Sequence, residues 1–174
     1  MNPFTIRQAY KDEYAVLLKI DEAANTLFSQ VGITFDFESD HPFILEESKR
    51  WEDAFKNGRC YFAVDSQDQP VGFILLGFVD DQPYLDQISV HPSYMRKGIG
   101  LMLLNKAIEW SGSAPLWLTT YAHVAWNKPF YERHGFKEVS VDQYGPDVCD
   151  ALKHQRLVLP FPEERIAMVR TPNQ

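Results

Sequence analysis

Two glycines and two basic residues form a turn that follows one of the apolar runs of this sequence. The run ends at Val90, and the turn reads Arg96-Lys97-Gly98-Ile99-Gly100 just before a segment with helical periodicity. The first turn of a helix presents unpaired backbone N–H groups and the positive end of the helix dipole, which together bind phosphate oxygens. Arg96 and Lys97 add positive charge beside these groups. The pattern predicts a phosphate-binding turn, although glycines at such a turn also serve close packing.

Two other phosphate-binding motifs are excluded by the letters of the sequence. A dinucleotide fingerprint requires a third small residue at the position of Leu103, and a P-loop requires Gly-Lys-Ser or Gly-Lys-Thr, which does not occur. The order of predicted elements also differs from an alternating β/α pattern, because several strands come before the glycine turn. The turn therefore belongs to another class of phosphate site.

A second segment, Trp126–Phe136, contains Phe-Tyr-Glu-Arg and ends in Gly-Phe. Together with the strand and glycine turn at Tyr84–Gly100, it resembles the two signatures of the GNAT superfamily of N-acetyltransferases, in which the glycine turn binds the pyrophosphate of acyl-CoA. The resemblance extends over about residues 60–141. It implies that the helical segment at 12–57 is the variable, substrate-side part of the protein.

The resemblance implies acetyl-CoA as the cosubstrate, and a strand at 88–90 that splays from its neighbour and exposes backbone groups to the pantetheine arm. There are two departures from the family pattern. Met95 replaces the usual Gln or Arg, and Val124 stands where the commonest CoA-contacting Asn lies, seven residues before the tyrosine. Asn127, four residues before it, either contacts CoA or caps the next helix. The implied cofactor-binding residues are Ile88, Ser89, Val90, Arg96, Lys97, Gly98, Ile99, Gly100, Leu101 and Asn127.

Direct attack of an amine on a thioester requires an acid for the departing thiolate and an acceptor for the proton of the amine. Tyr131 matches the tyrosine of the family and is the predicted acid, with core packing as the alternative. Asp86 is the first candidate for the base, because strand alternation places it on the face of Ile88 and Val90. Glu22 on the first helix and water are the alternatives.

The acceptor is a small-molecule or peptide amine by analogy with the family, and the acidic composition favours a cationic one. The sequence does not distinguish a protein N-terminus, a lysine, a polyamine, an amino acid or a drug. Phe35, Phe37 and Trp51 either form walls of the acceptor pocket or belong to the core. His91 and His123 are of a residue type that often serves as a base, but their positions in loops predict surface or capping roles.

The composition limits the location and the partners of the protein. Its 174 residues, of which 45% are hydrophobic, predict a single domain at 1–174. A formal charge of −7 repels polyanions, so nucleic acid is not an expected partner. The longest apolar run, at 71–79, is too short to cross a membrane. Cys60 and Cys149 form neither a CxxC motif nor a Cys/His cluster, so no metal is expected and the cytoplasm is the expected location. A homodimer is left open.

Hydrophobic periodicity divides the chain into helices and strands. Strands are predicted at 5–9, 60–64, 71–79, 84–90, 116–120, 136–141 and 165–169, and helices at 12–29, 46–57, 99–110, 127–134 and 147–155. They predict an α/β fold with a mixed, mostly antiparallel central sheet flanked by helices, which is the acyl-CoA N-acyltransferase fold that the resemblance implies. The predicted function is acetyl transfer from acetyl-CoA to a primary amine. The alternative is a non-catalytic acyl-CoA-binding module or regulator with the same fold.

Overall fold

The computed structural model describes residues 2–172. Every predicted strand and helix is present, so the predicted α/β architecture with a mixed, mostly antiparallel sheet is confirmed. The elements are β1 (Thr5–Gln8), α1 (Tyr14–Ser29), α2 (Pro42–Lys56), β2 (Cys60–Val64), β3 (Pro70–Val79), β4 (Gln82–Val90), α3 (Ile99–Ser111), β5 (Leu116–Tyr121), α4 (Lys128–Glu132), β6 (Phe136–Glu138), α5 (Pro146–Val158) and β7 (Arg165–Arg170).

Several boundaries differ from the prediction by a few residues, and two of these differences have clear local reasons. The second helix begins at Pro42 rather than near residue 46, because proline suits the first helical position and the Nδ1 atom of His41 accepts a hydrogen bond from the Phe43 N–H. The strand predicted at 136–141 ends at Glu138, because the chain then turns into a short 3₁₀ helix that is capped by Ser140.

The sheet contains one parallel pair, β4 with β5, at its centre. The strand order is β1-β2-β3-β4-β5-β7-β6, and the other neighbouring pairs are antiparallel. β4 pairs with β3 along its length, but it pairs with β5 at one register position, Tyr84 opposite Trp117. The two strands therefore separate beyond this point, and within residues 2–172 one edge of β4 at Ile88–Val90 pairs with no strand, as the resemblance implied.

Helices cover both faces of the sheet. α3 packs on one face, where Leu103 is fully buried. α1 and α2 pack on the other face, where Leu17 and Trp51 lie against Phe73 of β3. α5 covers the same face as α1 and α2, further along the sheet, with Leu152 buried beside β4 and β7. The gap between β4 and β5 thus opens toward α3 on one side and toward α1, α2 and α5 on the other.

Reciprocal hydrogen bonds fix the start of α5 against the turn between β3 and β4. The carboxylate of Asp80 accepts from the backbone N–H groups of Asp147 and Val148 at 2.8 and 3.2 Å, and the Asp147 carboxylate accepts from the Asp80 N–H at 2.7 Å. These bonds satisfy N–H groups that a helix start leaves unpaired. Among residues 2–172, no helix is long and apolar enough to span a bilayer, and no cluster of acidic, His or Cys side chains could hold a metal ion.

Candidate active site

A cleft of about 1020 Å³ occupies the gap between β4 and β5 and extends over both faces of the sheet. The glycine turn lies at its α3 end. Gly98 has a φ of +79°, a conformation that favours glycine, and a Cβ atom there would enter open space. A Cβ atom on Gly100 would lie 3.9 Å from the ring of Phe130. The backbone of this turn is therefore accessible to a ligand in the cleft.

The structure places most of the residues implied to bind the cofactor in this cleft. Lys97 and Leu101 do not line it, and Leu101 is 37% exposed on the outer side of α3. The residues that do line it are Ile88, Ser89, Val90, Arg96, Gly98, Ile99, Gly100 and Asn127.

Asn127 and Val124 are distinguished by their environments. Asn127 occupies the position before α4, but its side chain makes no capping hydrogen bond and lines the cleft. Val124 is 1% exposed and packs with Ile33 and Tyr121. Valine at the position of the family's usual Asn therefore belongs to the core, whereas Asn127 is available to a ligand.

Tyr131 lies on the α3 side of the sheet and lines the cleft. Its ring is buried between Phe130 and Phe136, and its hydroxyl has no hydrogen-bond partner in the described part of the chain. Burial raises the pKa of this hydroxyl well above its ordinary value. The phenol is therefore protonated at neutral pH and has a proton to donate.

The prediction that Asp86 shares a strand face with Ile88 and Val90 is wrong. A β-bulge makes Asp86 an extra residue in β4, because Leu85 pairs with Leu76 and Gln87 pairs with Leu75. The bulge turns Asp86 toward α2, where its carboxylate accepts hydrogen bonds from Nε and Nη2 of Arg50. Ile88 and Val90 instead pack on the α3 side.

Two acidic residues that the sequence analysis did not select, Asp21 of α1 and Glu47 of α2, line the cleft beside Asp86. Glu22, the earlier candidate, is exposed on the outer side of α1. Helical spacing indicates the inward orientation of both residues, because side chains four residues apart lie on the same face of a helix. Asp21 follows the buried Leu17 by four residues, and Glu47 precedes the buried Trp51 by four.

The surroundings of these two carboxylates differ. Asp21 accepts hydrogen bonds from Gln87 and Ser89 of β4 at 2.9 and 3.1 Å and from Asn25, while burial raises its pKa. Glu47 has neither a hydrogen-bond partner nor an ion-pair partner within residues 2–172. Burial, together with the charge of Asp21, raises the pKa of Glu47 to about 7. Glu47 is thus ionised to a substantial degree at neutral pH.

The α5 side of the cleft contains Tyr84 and Arg165. The Tyr84 hydroxyl lies 3.1 Å from Oγ1 of Thr119, and Arg165 donates to the same oxygen. The sequence analysis placed Arg165 in the closing strand and gave it no role. No local sequence pattern identifies Arg165 as a cleft residue, because its position in the cleft follows from the pairing of β7 with β5.

Histidines and aromatic residues also have defined places. His91 accepts the Ser93 N–H through Nδ1, which confirms a capping role. His123 lies near Glu164 at the surface. The aromatic side chains Phe35, Phe37 and Trp51 line the cleft, and Trp51 is also buried in the core.

The sequence model of the Acetyltransferase (GNAT) family matches residues 20–136. This chain belongs to the GNAT acetyltransferase family. It is similar to YafP of Escherichia coli K12, named as an uncharacterized N-acetyltransferase, with 34% identity over 95 residues that cover 55% of this chain and 56% of YafP. The chain thus spans about half the length of this curated relative.

Solved structures share the fold of this GNAT acetyltransferase. A GNAT-family acetyltransferase from Staphylococcus aureus Mu50 has a TM-score of 0.69 at 19% identity and covers 96% of this chain and 98% of its own. The PaiA N-acetyltransferase of Thermoplasma acidophilum, solved in complex with coenzyme A, has a TM-score of 0.67 at 17% identity. The match covers 97% of this chain and 99% of the PaiA chain. At these identities the likeness shows the fold.

Proposed function

We propose that this GNAT protein transfers an acetyl group from acetyl-CoA to a primary amine. One observation carries the proposal: β4 and β5 separate beyond Tyr84 and Trp117, and the gap opens beside both an accessible glycine turn and the protonated hydroxyl of Tyr131. The gap passes through the sheet, so two reactants can enter it from opposite faces. The coenzyme A in the PaiA structure supports acetyl-CoA as one of them.

The α3 side of the gap suits the cosubstrate. The backbone N–H groups at 98–101 lie at the start of α3 and bind the pyrophosphate, with Arg96 adding charge and Lys97 acting from the rim. The unpaired edge of β4 at Ile88–Val90 binds the pantetheine arm, and one of its N–H groups binds the carbonyl oxygen of the thioester. Asn127 supplies a further polar contact.

Two proton transfers accompany the exchange of bonds. The amine nitrogen forms a bond to the acetyl carbon, and the bond between that carbon and sulfur breaks. Tyr131 donates its proton to the departing sulfur and regains one from water. The proton of the attacking amine passes to a carboxylate on the opposite face of the sheet.

We assign that carboxylate to Glu47 in preference to Asp86. Both carboxylate oxygens of Asp86 already accept hydrogen bonds from Arg50, so they are engaged in a contact with α2. Glu47 has no such partner in the described chain, and a pKa of about 7 suits proton exchange at neutral pH. Asp86 is then a positioning residue that fixes α2, and so Glu47, relative to β4.

The test is an acceptor screen. Purified protein is mixed with acetyl-CoA and a panel of primary amines, and free thiol is followed together with the mass of the acetylated amine. We expect amine-dependent thiol release. CoA binding in calorimetry with no turnover on any amine would favour the non-catalytic acyl-CoA-binding module instead. A cytoplasmic location and a homodimer stay predictions, which fractionation of the native host and light scattering would test.

A further inference from the structure

Arg165 places a cation in the cleft that no carboxylate of the described chain neutralises. It is the first residue of β7 and lies opposite Tyr121 of β5. Its Nε and Nη2 atoms donate hydrogen bonds to Gln155 Oε1 and Thr119 Oγ1 at 2.9–3.2 Å, and both acceptors are neutral. No ion pair of Arg165 is present within residues 2–172. A partly buried guanidinium without a counterion is a costly arrangement that an anionic ligand would relieve.

Contacts within the protein also fix the position and plane of the Arg165 guanidinium. Besides its two polar partners, it lies 4.5 Å from the ring centre of Tyr121, which fixes its plane. Its Nη1 atom makes no hydrogen bond to the described protein. A guanidinium presents its donors in a planar fork that matches a carboxylate, so the free donors of Arg165 suit this group in particular.

Arg165 lies close to the proposed reaction centre. Its position opposite Tyr121 is at the open end of the gap between β4 and β5. The Tyr84 hydroxyl and Arg165 share a hydrogen-bond partner, Thr119 Oγ1. Arg165, Tyr84 and Tyr131 all line the same cleft, so an acceptor bound to Arg165 occupies the cleft that contains the proposed acid.

An apolar wall continues from Tyr121 into the same cleft. Phe28 lies 6.4 Å from Tyr121, 5.3 Å from Phe35 and 5.5 Å from Trp126 between ring centres. Phe28, Phe35 and Trp126 are half-buried and line the cleft. Aromatic faces of this kind bind an apolar side chain.

We infer that the acceptor is a free α-amino acid with an apolar side chain. Arg165 binds its carboxylate, the wall formed by Phe28, Phe35 and Trp126 binds its side chain, and its α-amine receives the acetyl group. The amine loses one proton to the base as the nitrogen–carbon bond forms, and coenzyme A leaves as the thiol. The inference rests on the proposed function and gives it a substrate class.

The test compares matched acceptors that differ in the carboxylate alone. L-Phenylalanine, L-phenylalanine amide and 2-phenylethylamine form one series, and L-leucine, L-leucine amide and 3-methylbutylamine form another. Because a hydrogen bond to a charged group contributes about 1.5–3 kcal/mol, kcat/KM should fall roughly 10- to 100-fold when the carboxylate is absent. Equal or better turnover of the amides and amines by the wild-type protein would overturn the inference and leave acetyl transfer itself intact.

Variants separate recognition from a structural role. Arg165→Met should lower kcat/KM for the amino acids to the level measured for the amines. It should leave kcat/KM for the amines within about threefold of the wild-type value, because the lost interaction involves the carboxylate alone. Arg156→Met is the control, since Arg156 is exposed, does not line the cleft and donates to the backbone oxygen of Arg165. Arg156→Met should keep the preference for the amino acids over the amines. Equal losses for amino acids and amines in Arg165→Met would show a structural role.

Binding of the reaction products tests the inference even without turnover. N-acetyl-L-phenylalanine and N-acetyl-L-leucine are titrated into the CoA-saturated protein, with N-acetyl-2-phenylethylamine as the uncharged comparison. Tighter binding of the acids that is lost in Arg165→Met supports the inference, even where the acceptor screen finds no activity. Absence of that difference overturns it.

Discussion

Arg50 and Asp86 join the second helix to the bulge of the central strand, with Nε and Nη2 of the arginine at 3.0 and 3.1 Å from the two carboxylate oxygens. Asp86 is nearly buried, whereas Arg50 is half exposed. The pair sets the position of α2, which carries Glu47 into the cleft. The bulge at Asp86 interrupts the alternation of β4, so Asp86 contacts α2 although Ile88 and Val90, two and four residues later, pack on the α3 side.

The choice between Glu47 and Asp86 as base leads to different pH profiles. With Glu47 as base, kcat/KM should rise as pH increases through about 7, because the carboxylate accepts a proton only when ionised. Glu47→Gln should remove that rise and lower kcat/KM by about 10² or more. Asp86→Asn should cost about tenfold and leave the rise in place, because it only loosens the contact with α2. If instead Asp86→Asn abolishes the rise while Glu47→Gln retains it, Asp86 is the base.

Glu47 should also lower the stability of the protein at alkaline pH. Its pKa is about 7 in the folded state and near 4.5 in the unfolded state, so the folded protein holds more protons between these values. Stability must then fall as pH rises through this window. Glu47→Gln should therefore raise the free energy of unfolding at pH 8 by about 2–3 kcal/mol, with little change at pH 4.5. Urea unfolding of the wild-type protein and the variant at both pH values measures this change. An equal change in the free energy of unfolding at pH 8 and pH 4.5 would argue against a raised pKa of Glu47.

The glycine turn can be blocked with little backbone strain. Gly98→Asn combined with Gly100→Val adds side chains to the turn, because Asn tolerates a positive φ and the Cβ of residue 100 makes only an ordinary contact. Loss of one or two charge-assisted hydrogen bonds should weaken CoA binding roughly 10- to 1000-fold in calorimetry. Gly32→Asn is the control, since Gly32 follows α1 with a φ of +81°, has open space for a Cβ atom and does not line the cleft. Unchanged affinity in the double variant would exclude this turn as the pyrophosphate site.

Local patterns were enough to predict the elements, and they also identified two segments that line the cleft. The glycine turn and the segment around Tyr131 lie in short continuous stretches, where residue type and spacing encode the structure directly. These features depend on neighbours in sequence, so no knowledge of the fold was needed.

The acceptor side depends on contacts between distant segments and was largely missed. The predicted strand face of Asp86 is wrong, because a bulge interrupts the alternation of β4. No residue type in the sequence identifies the position of this bulge. Glu22, the alternative base on α1, faces outward, because the phase of the helix directs Asp21 into the cleft instead. Arg165 reaches the cleft through the pairing of β7 with β5, which the sequence alone does not show.

Transfer of the acetyl group beside Tyr131 is tested most directly by Tyr131→Phe, assayed with a cognate amine under conditions where chemistry limits the rate. The substitution keeps the ring between Phe130 and Phe136 and deletes the hydroxyl. We predict that CoA binds with unchanged affinity in calorimetry while the rate of acetyl transfer falls by about 10² or more, because protonation of the departing sulfur loses its acid. Turnover at the wild-type rate with intact CoA binding would contradict the account and make Tyr131 a packing residue.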